Sequence, residues 1–197
     1  MNHDAGHGIF AVVGLAGTGK SSVVQLLHEL LGVPVVYFGG VVVAEVSRRG
    51  LKVTEETERV VREELRAEHG MSAIAHLASR DVDEHFRAHD EVIIDGLYSY
   101  AEYELLHERY PDQLSLIAVH APRAVREERL AHRPVRPLTP AEIHSRDLRE
   151  IRTLDKATAI ALADHHLVND GSMADLRRHV ERTIAEIRER RGVRAVG

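Results

Sequence analysis

The run AVVGLAGTGKSS, residues 11–22, passes from apolar residues through three glycines and ends on Lys-Ser-Ser. Gly14, Gly19, Lys20 and Ser21 satisfy the spacing G-x-x-x-x-G-K-[ST]. Glycines let the backbone turn its N–H groups inward around phosphate oxygens. Lys20 is placed to reach the β- and γ-phosphates of a nucleotide, and the Ser21 hydroxyl to ligate Mg²⁺. Gly17 and Thr18 either touch phosphate or only shape the turn, and Ser22 completes the set. An apolar strand precedes the loop and a helix follows it, so the positive end of that helix is directed at the same anion.

Outward from the loop, IFAVV (9–13), VPVVYF (33–38), EVIID (91–95) and LSLIAVH (114–120) read as buried strands, and HHLVN (165–169) as a weaker fifth. Their unbroken apolar character suits strands covered on both faces. Helical patterns over 20–31, 54–69 and 71–89 lie between them, and SYAE (99–102) and TPAE (139–142) match capping boxes. SMAD (172–175) opens a final helix that ends in a basic tail. Strands alternating with helices predict a three-layer α/β sandwich, with a five-stranded parallel sheet and helices on both faces. HRPVRPLTP (132–140) reads as a mobile basic flap, a short lid over about residues 131–146 of one domain spanning 1–197.

Composition bounds the function. The chain has 197 residues, no cysteine and a formal net charge of -5. A disulfide framework and thiolate metal sites are excluded, and no nucleic-acid partner is expected. No apolar run is long enough to span a bilayer, and the start MNHDAGHG lacks signal-peptide character. The expectation is a cytoplasmic protein, monomer or homodimer, with no membrane partner. Fourteen histidines carry no H-E-x-x-H pattern and read as scattered solvated side chains.

Among phosphate-loop proteins, a GTPase switch needs an N/T-K-x-D motif, which the chain lacks; its Asp155-Lys156 pair falls inside a predicted helix. A motor ATPase ends its third strand in Asp-Glu, whereas Asp95 is followed by Gly96. A small kinase needs the loop, an acid near Mg²⁺, arginines over the transferred group and an acceptor pocket.

GLAGTGKSS, RRGL (48–51), IIDGLYSYAE (93–102), AVHAPRAVREERL (118–130), SRDLREI (145–151) and ALADHHLVNDGS (161–172) together resemble P-loop kinases of the nucleoside-monophosphate-kinase group. The nearest likeness is to dephospho-CoA-kinase-like and adenylate-kinase-related proteins. The resemblance implies ATP- and Mg²⁺-dependent phosphoryl transfer to a small nucleotide-like acceptor. Alternatives are dephospho-CoA or another metabolite as acceptor, or a nucleotide-binding regulatory protein with little or no transfer. It implies that Asp95 orients Mg²⁺ or its water, that Arg129 packs on the base, and that Arg133, Arg136 and Arg146 meet phosphates from the lid. Asn169 and Gly171 either lie against adenine or form a turn before a helix. The acceptor side departs from the group: Gly40, Val43 and Tyr98 stand where an acid and two arginines are expected, with Arg48, Arg49 and Arg62 as replacement cations. The acceptor pocket is therefore expected to be less cationic and more apolar.

Overall fold

A computed structural model describes residues 7–196. Residues 1–6 and 197 lie outside the described residues, and with them most of the stretch read for a signal segment and the end of the basic tail. The chain runs β1 (Gly8–Val13), α1 (Lys20–Leu31), β2 (Val35–Tyr37), α2 (Phe38–Arg48), α3 (Glu55–His69), α4 (Ala73–His85), β3 (Glu91–Asp95), α5 (Tyr100–Arg109), β4 (Leu114–His120), α6 (Arg123–Ala131), α7 (Pro140–Arg152), α8 (Lys156–Ala161), β5 (His165–Val168) and α9 (Met173–Val196). The five strands pair in parallel in the order β2-β3-β1-β4-β5. The chain fills one side of β1 before crossing to the other. The crevice at the carboxyl end of β1 is therefore the switch point where α/β sheets bind ligands.

β1 shows why the strands read as continuous apolar runs. Ile9, Ala11 and Val13 face a core shared with α2, α3, α4 and α5, while Phe10 and Val12 face α1 and α9. All five are fully buried. A third, smaller cluster of Ala16, Leu130 and Ile143 pins the phosphate loop to α6 and α7.

The structure corrects three expectations. VPVVYF is strand only over Val35–Tyr37, and Phe38 begins α2. Two glycines and four valines make that segment a poor helix by propensity. Phe38, Val42 and Val46, spaced at four residues, are buried on one face and override it. The helix expected over 71–89 is confined to Ala73–His85. Asp155 and Lys156 do not sit inside one helix. Asp155 adopts a left-handed conformation (φ 46°) that breaks α7 from α8, and Lys156 opens α8. The capping boxes at Ser99 and Thr139 are present as read.

Glu102 of α5 is fully buried. It accepts from the N–H groups of Tyr98 and Ser99 (2.7 and 3.2 Å) and from the Arg66 guanidinium of α3 (3.0 Å). Burial pushes its carboxyl up, against the opposing pull of Arg66. Removing one member of a buried pair strands the other charge. Glu102→Ala is therefore expected to lower unfolding free energy by about 3–5 kcal/mol in urea denaturation, whereas Glu63→Ala on the exposed face of α3 leaves it unchanged. Equal effects would show that the buried pair has no special weight.

Candidate active site

Gly14, Gly17 and Gly19 all have positive φ (154°, 80° and 92°). Gly19 caps α1 in the left-handed region with no side-chain cap and no acid in the first turn. The open N–H groups and positive end of α1 therefore face the loop. A Cβ on Gly19 would lie 2.1 Å from Asn169 Nδ2, so only glycine fits this close approach. Lys20 Nζ donates to the Leu15 carbonyl across the loop (3.0 Å), and the buried Thr18 hydroxyl donates to the same oxygen (2.9 Å). Ser21 is exposed in the first turn of α1, and Ser22 is partly buried beside it.

Side chains from distant segments hold the outer side of the loop. Arg126 donates to the Ala16 carbonyl (2.9 Å) and grips Asp147 of α7 through two bonds (2.9 and 2.7 Å). Asn169, after β5, donates from Nδ2 to the Thr18 carbonyl (2.9 Å). Arg129 donates to the carbonyls of Asn169 (3.1 Å) and Gly17 (3.5 Å). Asn169 thus buttresses the phosphate loop. Gly171 lies exposed in the turn before α9, against the Asp175 side chain.

A buried charge cluster adjoins the loop. Lys156 is 1% exposed and donates to Glu150 (2.9 Å), which also accepts from Arg146 Nε (3.0 Å). The Lys156 ammonium stands 4.6 Å from the Tyr98 ring centroid, a cation–π contact. Burial pushes the Glu150 carboxyl up, but Lys156 and Arg146 outweigh it and hold the pKa below the usual range. Lys20 is lowered to about 8, first by burial and then by Lys156, with Glu150 and Asp95 opposing. Asp95, at the end of β3, is raised by burial against the pull of Lys20. Lys156 escaped the reading of the sequence. Its one signal is composition: Lys20, Lys52 and Lys156 are the only lysines among 26 basic residues.

The lid and acceptor-side residues divide. Arg136 (φ 56°) reaches from the segment between α6 and α7 to Glu55 at the start of α3 (2.8 Å), and its carbonyl accepts from Arg133 Nε. The segment between α6 and α7 therefore reaches the start of α3. Arg48 is exposed and paired with Glu45 (2.6 Å), as is Arg49 (2.7 Å), on the outside of α2. Gly39 and Val42, rather than Gly40 and Val43, line the small cavity beside Tyr98, together with Arg62 and Arg66.

The chemistry of the donors fits a polyphosphate and Mg²⁺. A Cβ on any of the three glycines would press on the atoms that support the loop, Val119 O, Arg126 O or Asn169 Nδ2, and Lys20 reaches across the loop to the Leu15 carbonyl. Among the described residues no three His, Asp or Glu side chains gather to hold a metal ion. Mg²⁺ does not need them, because it keeps waters and takes ligands from substrate phosphates. Ser21 and Asp95 are the residues that would hold it.

The Lys20 pKa carries a pH prediction. A bound polyphosphate favours the ammonium and raises its pKa above about 8. ATP affinity should be full below that pH and fall above it, by up to about tenfold per pH unit, until the pKa of the complex is reached. Calorimetric titration from about pH 7 to about pH 9.5 checks it; a flat profile removes Lys20 from the phosphate site.

With this geometry in hand, comparison with known proteins places the chain. Residues 13–145 match the AAA domain family. A UPF0200 protein from Thermococcus sibiricus is 35% identical over 189 residues, covering 94% of this chain and 96% of its own. Shikimate kinase from Bacteroides thetaiotaomicron superposes with a TM-score of 0.59 at 16% identity, covering 92% of this chain and 98% of that one. TT1252 from Thermus thermophilus gives 0.61 at 22% identity, covering 91% and 97%. At such identities the structures speak for the fold alone, a P-loop kinase-like α/β domain, and kinship with the nucleoside-monophosphate-kinase group is not established by them. The chain belongs to the UPF0200 family and carries the AAA domain over residues 13–145.

Proposed function

We propose that this protein is an ATP- and Mg²⁺-dependent kinase of a small, nucleotide-like molecule, working in the cytoplasm as a monomer or homodimer. The observation that carries the proposal is the convergence of Lys20, Asp95 and the Lys156–Glu150–Arg146 cluster at the open end of the phosphate loop. Phosphoryl transfer asks a protein mainly for position and electrostatic stabilisation. Mg²⁺, held by Ser21 and Asp95, would neutralise charge on the phosphates. Lys20 would grip the transferred group. Arg146 and Lys156 would add positive charge where it spreads, with Glu150 fixing their positions. Arg133 and Arg136, on the flap that reaches the start of α3, would help exclude water. Arg129 and Asn169 would keep the loop in shape beside the base.

A second reading keeps the chemistry and changes the acceptor to dephospho-CoA or another metabolite. The two tyrosines at the acceptor side, Tyr37 and Tyr98, favour it.

The test is incubation with ATP–Mg²⁺ and a panel of monophosphates, dephospho-CoA, nucleosides and hydroxy acids, following phosphorylated product by mass. Lys20→Ala should lower turnover by about 10²-fold or more with an unchanged melting temperature, because no core contact is lost. Equal turnover in the variant and the parent rejects the kinase reading. Asp95→Asn should depress Mg²⁺-dependent turnover far more than metal-free nucleotide binding. Parallel losses in both properties would make Asp95 structural.

A further inference from the structure

The cavity beside Tyr98 holds only about 20 Å³ of free space, the size of one water. Tyr37, half exposed, stands at its mouth. Two glycines allow this wall. A Cβ on Gly39 would lie 2.3 Å from the tip of the Tyr37 ring, and a Cβ on Gly96 (φ 96°) would lie 3.3 Å from Tyr98 and 3.5 Å from Tyr37. Both phenol rings therefore lie close over bare backbone. Tyr37 pairs with Asp95 across β2 and β3, and Arg62 lines the cavity with both rings. The cavity wall thus joins the arginines of α3 to the strand ends where Tyr37 stands beside Asp95.

Those arginines differ. Arg66 is fixed by Glu102 at 3.0 Å, yet its buried Nε–H has no hydrogen-bond partner. Arg62, one turn earlier on the same face, is a third exposed and approaches Glu58 only at 3.9 Å, beyond hydrogen-bond reach. Buried donors are rarely left unpaired. A guanidinium pair with an orphan donor and a loosely held neighbour suits the oxygens of an anion.

We propose that the acceptor carries an oxyanion, a phosphate monoester or a carboxylate, that binds Arg62 with help from Arg66, while its flat body rests on Tyr37 and Tyr98 and its reacting oxygen faces Asp95. The proposal deepens the kinase reading and rests on it for the last clause. Of the replacement cations expected from the sequence, it selects Arg62 over Arg48 and Arg49, which are paired with Glu45.

The experiment is calorimetric titration of the full chain with AMP (a phosphate monoester), shikimate (a ring carboxylate) and ribose (neutral), each with and without saturating AMP-PNP–Mg²⁺. At least one anionic probe should bind more tightly than ribose, and its affinity should fall tenfold or more in Arg62→Gln and recover in part in Arg62→Lys. AMP-PNP affinity should stay within twofold in both variants. Preference for AMP or for shikimate identifies the oxyanion. Binding of ribose as tightly as both anions, no binding of either anion, or anion affinity unaltered in Arg62→Gln each overturns the proposal. Failure of AMP-PNP to bind the parent protein would instead defeat the kinase reading, and the nucleotide-free titrations keep the two failures apart.

Discussion

Everything at the site depends on the phosphate loop being held from outside. The carbonyls of Ala16, Gly17 and Thr18 are engaged by Arg126, Arg129 and Asn169. With the carbonyl oxygens drawn outward, the opposite side of the loop backbone is turned inward, the arrangement an anion requires. The three buttresses come from α6 and from the segment after β5, and Arg126 is itself fixed by Asp147 of α7. The Ala16–Leu130–Ile143 cluster adds apolar contact at the same place. The loop is therefore shaped by the lid-bearing segment as much as by its own glycines.

The charge cluster follows from the same geometry. Lys20, Arg146 and Lys156 meet Glu150 and Asp95, three cations against two acids, in a largely desolvated place. Burying such groups is costly, and buried ion pairs are weak contributors to stability. The lowered pKa of Lys20 is the visible sign of that cost. Glu150 joins α7, α8 and, through Lys156, the Tyr98 ring.

Much of the fold was legible because its signals are local. Three apolar runs, the glycine loop and two capping boxes fall where the residues said they would, and the fourth run, VPVVYF, is strand only over Val35–Tyr37. Helix α2 was not legible: its residues favour helix weakly, and burial of one face decided it. The break at Asp155 was hidden for a related reason. A left-handed Asp is an unfavourable local choice, sustained here by α8 packing back on α5 and α7.

The sequence by itself determined the phosphate loop, the apolar strand that leads into it and the acid at the end of β3, since each depends on neighbours within a few residues, whereas the pairing of β1 with β3 and β4 joins segments far apart in the chain. Tertiary structure decided the rest of the site. Glu102 with Arg66, Glu150 with Lys156, and Asn169 with Thr18 join residues brought together by the crossing of helices and strands. Pairs between separate elements leave no periodicity in the chain. A lysine that opens a short helix looks the same in sequence whether it meets solvent or a buried carboxylate, and only the packing of α8 against α7 makes Lys156 part of the site.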